Sequence, residues 1–297
     1  MAITVEGTPT SAQGDGATAT VSVPTVSGGI LADDILVVAF CACESEDNTS
    51  NTPSGMDGEW ISELQVGQTP PSVPGLQVFY EICSGGESGT RSTALSFTCG
   101  WMMTAFVLRG VDATTPLDVT PTTVQSTATG YPDPPSITPT NNDCMILAFG
   151  IKDETGADNL TSHPTNYTGI DWNNNNQSTG GTLMVAYRLL SGGGGSAEDP
   201  GIWSGDGGND EWAAATIACR PGPTYSYEQE GFQFRLDDGS ESGATDIGSQ
   251  DGYISSNKGT NRRLRILSNA TGNPPSHQVT IQFRKVGDPD SEWEDVD

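Results

Sequence analysis

Positive charge is scarce in this chain. Its 297 residues include 12 lysines and arginines against 38 aspartates and glutamates, which gives a formal net charge of −26. Proteins that wrap nucleic acids need clustered Lys and Arg side chains to neutralise phosphates, so this balance argues against a nucleic-acid partner. A strongly negative surface instead favours solubility and mutual repulsion between copies.

Residues with the usual catalytic or metal-binding chemistry are also few. His163 and His277 are the two histidines, and neither has a partner at metal-ligand spacing, so we interpret both as loop or surface residues. The sequence contains no Gly-x-Ser-x-Gly elbow and no phosphate-cradling loop. It therefore predicts a protein that is not an enzyme. A polysaccharide hydrolase with paired carboxylates is the enzymatic alternative.

Long apolar runs are missing too. None is long enough to span a bilayer, and the opening segment Met1–Gly7 lacks the basic and apolar regions of a secretory signal. We expect no membrane association, and assembly in a cytoplasm, where thiols stay reduced. The six cysteines lie mostly in or at the ends of apolar strand patterns, so we predict free, buried thiols and regard Cys83 with Cys99 as the first pair to test for a disulfide. They are Cys41, Cys43, Cys83, Cys99, Cys144 and Cys219.

No window shows the apolar stripe of an amphipathic helix. The 37 glycines and 19 prolines separate short apolar runs, a pattern typical of many strands joined by turns. Three of these runs occur twice in the same order, about 110 residues apart, with similar lead-ins at Thr8–Gln13 and Thr120–Gln125. Because burial pattern repeats and reactive side chains do not, the duplication indicates a scaffold. Asp34–Phe40 returns as Asp143–Phe149, Leu76–Ile82 as Leu183–Leu189, and Trp101–Gly110 as Trp212–Pro221.

The predicted fold class is all-β. Residues 1–221 are expected to form a large jelly-roll-like sandwich with internal pseudo-twofold duplication, from copies at about 1–112 and 113–221. A linker at Arg220–Thr224 precedes a small C-terminal immunoglobulin-like β-sandwich, residues 222–297. Two tandem sandwiches are the alternative for the first region. We favour a single one, because three strongly apolar strands per copy are few for an independent two-sheet core.

Some repeated strands are apolar on both faces, including Ile35–Phe40 and Met145–Phe149. Their outer side must be covered if it is not to face water. The candidate covers are the loops Glu44–Pro74 and Asp153–Gly181, the C-terminal domain, or another subunit.

Four aromatic residues lie in or beside loops rich in Asn, Asp and Gly: Trp60, Tyr167, Trp172 and Trp203. Such loops can stack on sugar rings and bond hydroxyls, which predicts binding of host-surface glycans. The alternative is that these rings close the ends of the sandwich.

Two oxygen-rich loops are candidate calcium sites, although the sequence requires no cofactor. Asp206, Asn209 and Asp210 form one group and Glu44–Asn48 the other, and both offer hard oxygen ligands. Neither fits the spacing of an EF-hand loop, and solvated acidic loops are the alternative.

The C-terminal domain carries three closely spaced arginines, Arg262, Arg263 and Arg265. They could dock on an acidic neighbour, including the N-terminal domain of another copy, which would produce a salt-sensitive homo-oligomer. A solvated strand face is the alternative.

The ordered set of motifs resembles a duplicated β-sandwich domain found in tailed-phage virion and surface proteins. The C-terminal strings Tyr227–Arg235, Asp237–Glu241 and Thr260–Arg265 are similar to a small phage-type β-sandwich module. Together these resemblances imply a structural role on the outside of a particle and transfer no catalytic residues. The first resemblance is carried by Leu31–Phe40, Gln77–Glu81, Ala105–Asp112, Thr115–Asp118 and Ile217–Pro221.

The resulting expectation is a non-enzymatic accessory protein of a tailed phage that decorates or projects from the capsid surface. Its partners would be the major capsid protein or other virion proteins, and its location the virion surface. A tail-associated receptor- or glycan-binding adhesin is the alternative, and a polysaccharide hydrolase ranks third.

Overall fold

The computed structural model is all-β, as the sequence predicts. The chain divides into two compact units, Met1–Gly222, here called the body, and Pro223–Asp297, the C-terminal unit. In the part of the chain that is described, no helix is long and apolar enough to cross a membrane. The structure describes residues 2–42, 58–65, 75–126, 130–153, 159–175, 181–206, 211–223, 226–240, 243–252, 254–255, 257, 259–271, 282–283 and 294–295.

The body contains two five-stranded antiparallel sheets with the same strand order. The first sheet has the order β1-β5-β2-β4-β3 and the second the order β6-β12-β7-β10-β9, while β8 pairs with β11. The two orders correspond strand by strand: β1 to β6, β5 to β12, β2 to β7, β4 to β10 and β3 to β9. The duplication seen in the sequence is therefore also a duplication of sheet topology. The strands are β1 (Thr4–Ser22), β2 (Ala32–Ala42), β3 (Gly58–Gln65), β4 (Gly75–Ser84), β5 (Thr90–Arg109), β6 (Thr122–Ser126), β7 (Met145–Asp153), β8 (Asn159–Ser162), β9 (Thr168–Asn175), β10 (Gly181–Leu189), β11 (Ser204–Asp206) and β12 (Trp212–Cys219).

One apolar core lies between the two sheets. Val37 and Phe106 from the first sheet belong to the same buried cluster as Phe149, Val185 and Ile217 from the second. Burying each such side chain contributes about 1.5–3 kcal/mol to stability. Each copy therefore supplies one complete sheet, and the two sheets make a single sandwich.

The outer face of the first sheet is covered by the sheet's own long strands. β1 and β5 continue past the core as a paired extension, with Ala19 opposite Thr93. Val21 and Leu95 from this extension pack with Val38 and Phe40 of β2. The apolar outer residues of β2 are thus buried within the same copy.

Connecting segments cover the outer face of the second sheet. Ile137, Tyr167 and Trp203 pack on Ile146 and Ala148 of β7 in a separate buried cluster. Tyr167 comes from the predicted covering loop Asp153–Gly181. Residues 44–57 and 66–74 of the other predicted covering loop lie outside the described residues.

The spacing between β2 and β7 is 110 residues, one more than the alignment of Asp34 with Asp143 implies. Ile35 and Met145 occupy equivalent positions, and both face the shared core. Asp33 corresponds to Asp143, and both have a left-handed backbone, with φ of 69° and 59°. The alignment from sequence was therefore wrong by one residue in this strand.

A contact between a carboxylate and an arginine is repeated at the C-terminal ends of β5 and β12. Arg109 Nη1 lies 3.1 Å from Glu6 Oε2, and Arg220 Nε lies 3.6 Å from Asp118 Oδ1. Glu6 and Asp118 hold equivalent positions opposite β5 and β12. Arg109 also contacts the nearly buried Asp34, at 2.7 Å.

The five described cysteines are buried and are not part of disulfides: Cys41, Cys83, Cys99, Cys144 and Cys219. Cys83 and Cys99, the first pair to test for a disulfide, are not joined. Cys83 follows the residue opposite Ile35, whereas Cys99 lies beyond the residue opposite Ala42. Those two positions are about 20 Å apart along β2, and a disulfide needs Cα atoms within about 7 Å.

The C-terminal unit has a three-stranded sheet with the order β14-β13-β15 and a two-stranded ladder of β16 and β17. Phe232 and Phe234 lie opposite Ile266 and Leu264, so one face of the β13–β15 pair is apolar. The strands are β13 (Ser226–Leu236), β14 (Asp246–Ile247), β15 (Arg262–Thr271), β16 (Gln282–Phe283) and β17 (Glu294–Asp295).

Candidate functional site at one rim of the sandwich

Each sheet has an edge strand that pairs with β4 or β10, β3 in the first sheet and β9 in the second; these edges are here called the first and the second rim. Both edge strands carry a β-bulge at equivalent positions. The pairing of β3 with β4 shifts between Glu59 and Ile61, and that of β9 with β10 shifts next to Val185. Trp60 and Ile170 are the extra residues. A β-bulge bends its strand and changes the direction of the side chains that follow it, and this applies at both rims.

At the second rim, the residue after the bulge is Asp171, which lies opposite Val185 and faces the inside of the sandwich. Thr104, on the inner face of β5, is fully buried. Its hydroxyl donates a hydrogen bond to Asp171 Oδ2 at 3.0 Å. This polar contact joins the two sheets across an otherwise apolar core.

The equivalent residues at the first rim are apolar. Ile61, opposite Val78, takes the place of Asp171, and Ala215, opposite Phe149, takes the place of Thr104. Both belong to the shared core cluster. The Thr104–Asp171 pair is therefore not needed to close a rim of this fold.

An open cavity of 380 Å³ adjoins Asp171 and is lined by His163, Gly169, Ile170 and Asp171. The ring of His163 lies over Gly169, where an added Cβ would meet Nε2 at 1.8 Å. Its other neighbour is Trp203, in an edge-to-face contact with ring centroids 5.7 Å apart. The cavity volume is in the range typical of sites for small ligands or single side chains.

Among the described lining residues, the ionisable groups are the Asp171 carboxylate and the His163 imidazole. Burial lowers the pKa of His163 below its ordinary value, which favours the neutral ring at pH 7. Asp171 is the one acidic side chain in the described lining, and its carboxylate offers a hydrogen-bond acceptor to the cavity. The arrangement is suited to binding a donor group.

The four predicted glycan-binding residues are not assembled into an exposed platform by the described side chains. Trp60 is 7 % exposed and stacks on Tyr80, with ring centroids 5.0 Å apart. Trp203 is 1 % exposed, and Tyr167 is buried with its hydroxyl 3.1 Å from Glu198. These three rings pack against protein, and closure of the sandwich ends by them stays a prediction. The side chain of Trp172 lies outside the described residues, and glycan binding through it stays a prediction.

The predicted calcium ligands also lie outside the described residues: the side chain of Asp206, then Asn209, Asp210 and all of Glu44–Asn48. Within the described ranges, no three His, Cys, Asp or Glu side chains are grouped closely enough to hold a metal ion. Calcium binding at those loops stays a prediction, and His277 lies outside the described chain as well.

The three arginines of β15 do not share one face. Arg263 and Arg265 lie on one side of the strand and Arg262 on the other, because successive strand residues alternate. Arg263 contacts Asp237 at 2.7 Å, whereas Arg265 is exposed. Docking through these arginines stays a prediction.

All five basic residues of the body are engaged by neighbouring groups. Lys152 is 1 % exposed and lies 4.4 Å from the centre of the Tyr131 ring. The four arginines each contact a carboxylate, so the body offers a partner almost no free positive charge. These contacts are Arg91–Glu81, Arg109 with Asp34 and Glu6, Arg188–Glu198, and Arg220–Asp118.

Reasoning from the sequence missed Asp171 and Thr104, and it interpreted His163 as an ordinary loop residue. The signal that could have found them is the repeat itself, since a charged residue at a position whose repeat is isoleucine departs from the duplicated pattern. The strands that carry Ile61 and Asp171 are not among the three repeated runs, so the repeated motifs did not align these two residues.

No protein-family model, curated protein or solved structure matches this chain. The resemblance to a phage β-sandwich domain therefore stays a prediction from the motifs.

Proposed function

We propose that this protein is a non-enzymatic accessory protein of a tailed-phage particle, located on the outside of the capsid. The body would act as a rigid, anionic block that attaches to a virion protein. The main support is the charge arrangement of the body, where residues 1–222 hold five basic and 25 acidic residues and every basic one is engaged internally.

That arrangement suits a protein that must remain monomeric until it meets a basic surface. Copies with the same strong negative charge repel one another, and association with a positive partner is accelerated by long-range attraction. The outer faces of both sheets are already covered within the chain, so attachment would rely on charge and on rims rather than on an exposed sheet face.

The non-enzymatic part of the proposal is supported by the state of the thiols. Burial raises the pKa of Cys83 and of Cys144 to about 12, and that of Cys219 rises as well. A thiol is nucleophilic as its thiolate, so these three cysteines are poorly suited to catalysis at neutral pH.

The C-terminal unit differs in charge, with seven basic against 13 acidic residues. Arg265 on β15 is exposed, and the described residues include no carboxylate within ion-pair distance of it. We propose this unit as a second attachment point.

Copy number in purified particles tests the proposal. Quantitative mass spectrometry of the phage that encodes the chain should find many copies per capsid, in a fixed ratio to the major capsid protein. A handful of copies per particle would contradict capsid decoration. Imaging of particles with and without the protein would then locate it.

The second candidate function is a tail-associated adhesin that binds a receptor or glycan. It is favoured by the rim cavity beside Asp171, a residue whose equivalent at the first rim is Ile61. Glycan-array binding that weakens on Trp172→Ala would support it. Turnover of host polysaccharide by the pure protein would contradict both non-enzymatic functions.

A further inference from the structure

The two rims of the sandwich are an internal control for each other. They share strand order, bulge position and contact with the shared core, yet only one has an ionisable side chain at the position after the bulge. Placing Asp171 beside a buried core costs desolvation that Ile61 avoids at the other rim. A cost present in one copy and absent from the other indicates a role for the carboxylate beyond holding the fold.

The carboxylate of Asp171, which lines the cavity, retains unused acceptor capacity. Thr104 donates to Oδ2, and this is the one hydrogen bond of Asp171 in the described chain. An ionised carboxylate offers about four acceptor positions on its two oxygens. The Oδ1 atom therefore remains able to accept hydrogen bonds from a ligand in the cavity.

The surrounding charge selects a cation. The body combines 25 acidic residues with five basic residues that are already engaged, so its potential repels anions and attracts positive groups. Ile170 and the ring of His163 provide apolar walls that can contact a methylene chain. A long side chain with a charged end matches this combination.

The geometry of Asp171 distinguishes lysine from arginine. A guanidinium binds best when both carboxylate oxygens are free to form a bidentate pair, whereas an ammonium needs a single acceptor. Thr104 already occupies one acceptor position of Oδ2, so a bidentate guanidinium pair would compete with this hydrogen bond, whereas an ammonium can bind Oδ1 alone. This arrangement favours the compact ammonium group.

We propose that the rim cavity binds a lysine side chain of a partner protein, with its ammonium on Asp171 Oδ1 and its methylenes between Ile170 and His163. The preference of the cavity for lysine is independent of the proposed function. The statement that the partner is a virion protein rests on that function. The chemical specificity of the cavity can be tested on the purified chain, whereas copy number in particles tests the virion role. Failure of one is thus distinguishable from failure of the other.

The test is ligand-observed NMR titration of the full chain with Nα-acetyl-lysine methylamide. The norleucine analogue removes the ammonium, the arginine analogue replaces it with a guanidinium, and glucosamine presents an ammonium on a sugar. We expect the lysine probe to bind at least about tenfold more tightly than the norleucine probe, and more tightly than the other two. Raising the salt concentration should weaken its binding.

The matched variants are Asp171→Asn and Glu59→Gln. Each removes one negative charge, the first at the cavity and the second at the equivalent rim, where Glu59 corresponds to Gly169. Asp171→Asn should weaken the lysine probe by about tenfold or more, and Glu59→Gln by less than about twofold. Thermal unfolding of each variant checks that it is folded.

Several results would overturn the proposal. These are no detectable binding of the lysine probe, equal binding of the norleucine probe, tighter binding of glucosamine or the arginine probe, or equal weakening by the two substitutions. The comparison of probes on the unmodified protein decides the matter even if Asp171→Asn fails to fold.

Discussion

The two sheets of the body are alike where they face each other and differ where they do not. Their inner faces share strand order, core positions and a repeated carboxylate–arginine contact. Their outer faces are covered differently, by the extended β1 and β5 in one copy and by connecting segments in the other. Their rims differ in Asp171 and Thr104 against Ile61 and Ala215.

This comparison separates requirements of the fold from features that the fold does not demand. Both copies had to keep one apolar face, because each sheet buries it against the other. Neither had to keep the same cover or the same rim, since several solutions bury an outer face equally well. The features present in one copy are thus the better candidates for function.

The largest effect is expected from truncating one residue of the shared core in each sheet. Phe106→Ala and Phe149→Ala each remove a fully buried ring and should each lower the free energy of unfolding by about 3–5 kcal/mol. Because one core joins the sheets, either change should destabilise the whole body in a single denaturant transition. A transition in which only the mutated sheet unfolds would contradict a core that is shared by the two sheets.

A smaller effect is expected at the repeated carboxylates, and it should differ between the copies. The Asp118 side chain has no exposed surface, and its carboxylate accepts hydrogen bonds from Thr140 and Asn141. Asp118→Ala should cost about 1–3 kcal/mol because those donors lose their acceptor. Glu6 is more exposed, so Glu6→Ala should lower the free energy of unfolding by less than about 1 kcal/mol. Chemical denaturation measures both, and equal costs would contradict this account.

Asp118 should also contribute to stability against acid. Burial acts to raise the pKa of its carboxyl, but hydrogen bonds from Asn141 and Thr140 outweigh this and hold it below the ordinary value of 3.8. Its contribution is therefore complete above the unfolded-state pKa and is lost as pH falls through the folded-state pKa. The stability difference between the native chain and Asp118→Asn, measured from pH 7 downward, should shrink below about pH 4. A difference that grows on acidification would have the wrong sign.

The last comparison concerns Gly169 and Glu59, the residues that precede the two bulges. Gly169→Ala places a Cβ against the His163 ring and should cost about 1–3 kcal/mol unless the ring moves away. At the equivalent rim position Glu59 already carries an exposed side chain, so Glu59→Ala should change stability by less than about 0.5 kcal/mol. Thermal unfolding of the pair tests whether the His163 packing is specific to one rim.

Much of the fold could be predicted from the sequence, and the failures have a common physical cause. The spacings of 107 residues between Leu76 and Leu183, and of 111 between Trp101 and Trp212, agree with the structure. In β4 the alternation of apolar and polar residues fixes which side faces inward. In β2 and β7 both faces are buried, so no alternation existed to fix the register, and the alignment slipped by one residue.

The candidate site was less accessible to such reasoning. Asp171 lies in the segment Thr168–Asn175, where polar residues dominate and no pattern marks one of them as inward-facing. Its partner Thr104 is 67 positions away in sequence and belongs to the other copy. Only the pairing of strands across the sandwich brings the two side chains together.

Native-state hydrogen exchange tests most directly whether the duplicated sheets form one body. Amides in β2 and β5 should open with the same free energy as those in β7 and β12, because neither sheet can expose its inner face without the other. Exchange of one sheet at a markedly lower free energy, with the other still protected, would contradict a single shared core.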